Sequence, residues 1–248
     1  MPKDLAVIIP VHKEKMNPYE QISFLQCVRI LKHREIHLII PESISSYEYQ
    51  NLYPDLIIIK IQDSWFESLQ GYNLFKLSNF FYTLFEEYNY ILTYELDSYI
   101  FKDDLDYWMN LNIDYIGAPW FDGYNEPVSN NIIGVGNSGF SLRKRSRIHA
   151  AMKTYFNKPP IFFFRKKRDY DHQLKELNGI YEDWFIANRL SNLNLAVVEQ
   201  AIAFSFEVNP HYLFQKNKLN LPTGCHGWYK YEVNFWKPFI EADHKIAL

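Results

Sequence analysis

Four runs of the chain concentrate apolar residues in the way buried strands do, and helical spacing fills two of the stretches between them. Leu5 to Val11 (LAVIIPV), Ile36 to Ile40 (IHLII), Leu56 to Ile61 (LIIIKI) and Tyr90 to Tyr94 (YILTY) are rich in β-formers. The Tyr90 run is so apolar that it must be covered on both faces. Phe24, Leu25, Val28 and Leu31 share one face of a helix predicted from Tyr19 to Lys32. Tyr72, Leu74, Leu77, Phe81, Leu84 and Tyr88 recur at helical spacing and predict a helix leading into the Tyr90 strand. Alternating strands and helices imply right-handed crossovers and a mostly parallel sheet, so residues 1–101 read as a nucleotide-binding type of half. After Phe101 the alternation fades. Short strands are predicted at Tyr115 to Ala118, at Gly139 to Leu142, and near Val197 and Phe204, with a helix from Asp183 to Leu193. Neither repeats nor a low-complexity linker interrupt the pattern. Residues 1–248 are therefore expected to form one domain, with 102–248 an irregular, site-building half.

The stretch YILTYELDSYIF, Tyr90 to Phe101, carries the strongest chemical signal, because an apolar strand stops there on acids. Ligands of open α/β sheets bind at the carboxyl ends of the strands. Alternation along a strand puts Glu95 and Asp97 on one face and Leu96 on the other. Paired carboxylates at a sheet edge suit a hard divalent cation, which in turn suits a phosphate. The competing reading is an acidic, solvated turn, since Asp103, Asp104 and Asp106 follow.

Composition narrows the classes. The 248 residues are 48% hydrophobic and 18% aromatic, with 19 Tyr, 19 Phe and 6 Trp, enough for a substantial core and also for rings that stack on sugars. A net charge of −3 makes no case for nucleic acid as a partner. Cys27 and Cys225 lie far apart without metal-ligand spacing, which fits a reducing cytoplasm. The chain enters a strand pattern at once and has no apolar run of about 18 residues, so neither a signal peptide nor a membrane span is expected.

Gly134 to Gly139 (GVGNSG) matches G-x-G-x-x-G letter for letter, yet lacks the context of a dinucleotide fingerprint. That fingerprint follows a strand and opens a helix, whereas Gly139 here leads into FSLRKR, which alternates like a strand. The first βα turn is PVHKEK, without glycine. The glycines are expected to permit close backbone approach to a ligand, or to form a turn.

Five segments in order, LDSYIF (Leu96–Phe101), IGAPWF (Ile116–Phe121), GNSGFSLR (Gly136–Arg143), EDWF (Glu182–Phe185) and GCHGW (Gly224–Trp228), resemble glycosyltransferases of the GT-A fold. They are similar in particular to a bacterial family of uncharacterised glycosyltransferase-like domains, from about Leu5 to Trp228. The resemblance implies an α/β fold with a mixed, mostly parallel sheet. It implies transfer of a sugar from a nucleotide-diphosphate sugar, UDP-sugar in the first place, to a glycan or lipid-linked glycan acceptor of a surface polysaccharide or lipopolysaccharide. The reaction would be assisted by a divalent metal, Mn2+ or Mg2+, and would invert the anomeric centre. GT-A enzymes carry Asp-x-Asp at this strand end. Either Glu95 and Asp97 form that pair here, or Asp97 is the first acid and Tyr99 stands in the second place.

By the same resemblance, Tyr72, Asn73 and Lys76 at a helix start would contact the nucleotide, a natural place for a diphosphate. Lys76 reads equally as a solvated helix residue. His226 would join Asp97 as a metal ligand, and Lys230 would neutralise the leaving diphosphate. Val11 and His12 would lie beside the base, Asn137 and Gly139 beside the donor sugar, and Trp120, Phe121 and Trp184 under the acceptor. Asp183, with Glu182 as the alternative, would be the general base, although acids also suit a first helical turn for capping and dipole reasons. Ten Lys or Arg and no acid occur from Ser141 to Arg168, beside Phe162 to Phe164. This basic, aromatic segment suits an anionic membrane surface or a lipid-linked acceptor, and equally a solvated loop. The expected location is the cytoplasm, in peripheral contact with the membrane. Two other functions stay open: a non-catalytic carbohydrate- or nucleotide-binding domain, and a sugar nucleotidyltransferase, for which PVHKEK is a poor loop.

Overall fold

The computed structural model describes residues 3–156, 170–175, 177 and 179–244. Six strands form the main sheet: β1 (Lys3–Pro10), β2 (Glu35–Pro41), β3 (Ile57–Ile61), β4 (Tyr88–Tyr94), β6 (Tyr115–Phe121) and β7 (Ile132–Lys144). Three short strands form a second sheet: β5 (Tyr99–Ile100), β8 (Ser205–Phe206) and β9 (Gly224–Cys225). The helices are α1 (Pro18–Leu31), α2 (Tyr47–Leu52), α3 (Leu69–Leu77), α4 (Asn79–Leu84), α5 (Leu105–Asn110) and α6 (Arg145–Phe156). Then follow α7 (Tyr170–Lys175), α8 (Glu182–Arg189), α9 (Val198–Phe204), α10 (Pro210–Lys216) and α11 (Val233–His244).

The main sheet runs β3-β2-β1-β4-β7-β6. The first four strands pair in parallel, while β7 is antiparallel to both β4 and β6. Strand order reverses direction between β1 and β4, the crevice where such sheets bind ligands. Alternation divides the core. Val7 and Ile9 of β1 pack with Phe24, Tyr49, Leu105 and Phe204 from α1, α2, α5 and α9. Ala6 and Ile8 face Phe75, Phe81, Met152 and Phe185 from α3, α4, α6 and α8 on the other side. A third, aromatic core of Tyr99, Phe206, Trp228 and Trp236 supports the small sheet.

Four elements differ from the sequence pattern. The predicted helix through Tyr72 and Tyr88 breaks at Ser78, whose backbone is extended at ψ 152°. The Ser78 hydroxyl donates to Phe75 O (2.7 Å) and accepts from Phe81 N (3.0 Å), so it closes α3 and caps α4. The strand predicted near Val197 is helix α9 instead. The Val197–Val198 pair looks β-like, but Glu199, Gln200 and Ala201 are good helix formers, and α9 packs on β6. The helix predicted to Leu193 ends at Arg189, where Leu190 turns extended.

The strand predicted from Gly139 begins at Ile132 and runs through the glycine segment. Gly136 adopts φ +124°, and the β6–β7 register shifts around Ala118 and Trp120. A Cβ on Gly117 would lie 2.1 Å from Asn137 O, so the two backbones come closer than any side chain permits. Within the glycine segment itself, a Cβ on Gly136 would lie 2.8 Å from the Tyr115 ring and one on Gly134 3.1 Å from Trp120, both across the β6–β7 pair. Of the basic segment 141–168, residues 157–168 lie outside the described residues. Among the described residues no helix is long and apolar enough to cross a membrane.

Candidate active site

Past Tyr94 the chain turns, with Ser98 N donating to Glu95 O (2.8 Å). Gly139 O of β7 fastens this turn, accepting from Glu95 N (2.9 Å) and Ser98 Oγ (3.0 Å). The small sheet then brings in distant residues. β5 pairs antiparallel with β9, and β9 pairs parallel with β8. Trp228 N donates to Asp97 O (3.2 Å), tying the GCHGW segment to the acidic turn.

The result is a cluster in which Glu95, Asp97 and His226 each offer a ligand atom, all within 4.8 Å of one another. His226 Nε2 lies 3.2 Å from Asp97 Oδ1 and 3.5 Å from Glu95 Oε2, and its Nδ1 is 2.7 Å from Glu207 Oε1. Lys230 Nζ is 2.6 Å from Asp97 Oδ2. Glu95 Oε1 accepts from the Tyr72 hydroxyl (2.8 Å) and lies 3.4 Å from Lys76 Nζ. Tyr99 takes no part: it is fully buried and its hydroxyl donates to Asp243 Oδ2 (2.6 Å). The acids that converge are therefore Glu95 and Asp97. Two carboxylates and an imidazole are a donor set that fits a divalent cation.

Electrostatics follow from burial and pairing. Burial opposes ionisation of Glu95, but the Lys76 ammonium and His226 outweigh it and hold the carboxyl below the usual range. Asp97 is likewise lowered against burial, by His226 and then Lys230. Burial disfavours a charged His226, yet Asp97 and Glu207 raise its pKa well above that of free imidazole.

A cavity of about 360 Å³ opens at the ends of β1 and β4. Of the residues predicted for the donor, Val11, His12, Tyr72, Glu95, Asp97 and Lys230 line it. Four others stand outside its lining. Lys76 is buried, bonding Ser138 Oγ (2.9 Å) and lying 3.1 Å from Glu182 Oε2. Asn73 Oδ1 accepts from Glu182 N (2.8 Å), and Asn137 Oδ1 from Gly139 N (3.1 Å). Gly139 faces His226, and a Cβ there would lie 2.1 Å from the ring.

The residues expected under the acceptor each have a neighbour of their own. Trp120 lies over Gly134, Phe121 packs against Tyr212, and Trp184 carries the Arg189 guanidinium 5.2 Å above its ring. Glu182 is fully enclosed, with Oε1 2.6 Å from Arg143 Nη1. Its neighbour Asp183 is partly exposed, and desolvation together with the Glu182 charge pushes its carboxyl up to about 7.

The sequence pattern missed Phe66, Ser68, Leu69 and Tyr229 in the cavity wall, and also Arg143 and Glu207. Ser68 is the N-cap of α3, accepting from Gly71 N (3.0 Å), a signal readable in the sequence. Glu207 ends the short apolar run AFSF, the same device that marks Glu95.

Residues 55–226 match the model of a family described as "Protein of unknown function (DUF5672)". In structure the chain is similar to mouse xyloside xylosyltransferase 1 in its apo form, at 12% identity and a TM-score of 0.52. That alignment covers 90% of this chain and 97% of the other. It is also similar to the galactosyltransferase LgtC in complex with donor and acceptor sugar analogues, at 12% identity and a TM-score of 0.50. There 89% of this chain and 86% of LgtC are covered. The fold is that of the GT-A glycosyltransferases. No curated protein matches the chain in sequence.

Proposed function

The chain belongs to this DUF5672 family, and we propose that it is a metal-assisted glycosyltransferase that moves a sugar from a nucleotide-diphosphate donor, a UDP-sugar in the first place, to a glycan acceptor. One observation carries the reading: Glu95, Asp97 and His226 converge beside a cavity at the strand-order reversal of a GT-A sheet. A divalent cation held by Asp97, His226 and Glu95 would supply positive charge for the departing diphosphate.

In this reading the nucleotide occupies the cavity, with Phe66, Tyr72 and Tyr229 offering ring faces and Val11 and His12 at the end of β1. Lys230, more than half exposed and paired with Asp97, has the reach to turn its ammonium to the diphosphate. Asp183 takes the proton of the acceptor hydroxyl. A carboxyl with a pKa of about 7 suits a general base at neutral pH, and it is partly exposed where Glu182 is enclosed. Glu182 holds Arg143 and Lys76 in place. Displacement by the acceptor opposite the leaving diphosphate inverts the anomeric centre.

The test is nucleotide release from UDP- and GDP-sugars with and without Mn2+. Release should require the metal and rise with pH through about 7. Asp97→Asn, folded by circular dichroism, should lose several kcal/mol of charge stabilisation, at least about 100-fold in rate. Absence of nucleotide binding to the wild-type chain would sink the proposal.

A further inference from the structure

The reaction scheme leaves Glu207 unused, although it is nearly fully buried beside the candidate metal centre. Its position is fixed by the small sheet. In the parallel β8–β9 pair Ser205 faces Gly224 and Phe206 faces Cys225, so the next residues on each strand, Glu207 and His226, leave side by side. Phe206 O accepts from His226 N (2.9 Å), and Glu207 Oε1 lies 2.7 Å from His226 Nδ1. Backbone and ring of His226 are thus both anchored to the end of β8. Gly139 closes the opposite side, since a Cβ there would stand 2.1 to 2.5 Å from three ring atoms. Held between them, the ring has one direction left for Nε2, toward Asp97 Oδ1 and Glu95 Oε2. Among the described residues, His226 is the one cationic side chain that the Glu207 carboxylate meets.

We propose that Glu207 is the positioning residue of this metal centre: its carboxylate accepts the Nδ1 proton of His226 and so fixes the tautomer whose Nε2 lone pair faces Glu95 and Asp97. The inference rests on the reading above, in which a divalent cation binds there. Imidazole presents a lone pair at only one nitrogen when neutral, and the partner of the other nitrogen decides which. A carboxylate in that role also strengthens the ligand. With three protein ligands available, a misoriented imidazole removes a third of the set.

Mn2+ titration of the full chain, followed by electron paramagnetic resonance, tests this. Wild type should bind Mn2+ saturably, and spin-echo modulation should show one coupled imidazole nitrogen. Glu207→Ala should weaken Mn2+ binding about 10–100-fold and lose the nitrogen coupling at saturating metal. Glu207→Gln, whose amide oxygen still accepts from Nδ1, should restore the coupling and part of the affinity. Wild-type affinity and intact coupling in folded Glu207→Ala would overturn the inference alone. If that variant does not fold, Glu207→Met, which fills the space without an acceptor, decides, and affinity and coupling equal to wild type overturn the inference. Failure of wild type to bind Mn2+ removes the metal reading itself, and the inference with it.

Discussion

Two groups of charge, one enclosed and one partly open, sit next to each other in this molecule and meet at Lys76. The inner group is Arg143, Glu182 and Lys76, with side chains 0%, 0% and 3% exposed. The outer group is Glu95, Asp97, His226, Glu207 and Lys230, joined to the inner one where Lys76 Nζ stands 3.4 Å from Glu95 Oε1. In the inner group each charge meets an opposite charge at close range, and the Arg143 guanidinium also donates to Thr93 Oγ1 and Ser141 Oγ (both 3.3 Å). In the outer group the donors aim at a common point, and Glu95, Asp97 and Lys230 line a cavity. Burial of charge therefore does not mark the candidate site. Convergence beside an opening does, because a closed pair satisfies itself whereas an acid-rich cluster is completed by a cation.

The contrast can be broken at three points. The largest effect should come from the inner group. Arg143→Met leaves Glu182 buried with Lys76 alone, and loss of one member of a buried pair costs about 3–5 kcal/mol. Urea unfolding should show that loss, while the equivalent experiment on Asp97→Asn should show a much smaller one. An intermediate effect is expected at the boundary. Gly139→Ala pushes a methyl into the His226 ring, which should weaken Mn2+ binding about tenfold in a titration of the folded variant.

The smallest effect concerns Asp183 and the pH dependence of stability. Its folded pKa of about 7 lies above the ordinary 3.8, so between those values the folded state holds a proton that the unfolded chain has released. Stability from this group is full below the lower value and is lost as pH rises through the upper one. Asp183→Asn should flatten that part of the curve, measured as urea midpoints from pH 4 to 8. An unchanged slope would mean that Asp183 is ionised like a surface carboxylate.

The parallel half was legible because its signals are local. LAVIIPV, IHLII, LIIIKI and YILTY each declare a strand by composition alone, and all four occur where the pattern puts them, although LIIIKI forms the sheet edge with Ile57 exposed. Ser78 was harder, since a serine within a helical pattern is unremarkable until its hydroxyl is seen serving two helix ends. The GVGNSG segment was legible as a poor dinucleotide loop but not as part of a strand of 13 residues, because bulges and a positive φ interrupt the alternation. Val197 misled through β-branched neighbours that the packing of α9 on β6 overrides.

The same division runs through the candidate site. Position along the chain offered Glu95 and Asp97 together, because an apolar strand ending on acids delivers carboxylates to a sheet edge, and the resemblance to Asp-x-Asp singled out Asp97. The resemblance suggested His226 and Lys230 as its companions, and in the structure they lie 3.2 and 2.6 Å from its carboxylate. Three matters were decided only in three dimensions: that Glu95 rather than Tyr99 completes the acid pair, that Glu182 closes on Arg143 while Asp183 stays partly exposed, and that Glu207 meets the imidazole. Each depends on partners far away in sequence, Asp243 for Tyr99, Arg143 for Glu182 and His226 for Glu207. Local pattern fixes what a side chain is and which way its strand carries it. Only the packed chain fixes which opposite charge it meets, and at these distances that meeting sets its protonation and its role.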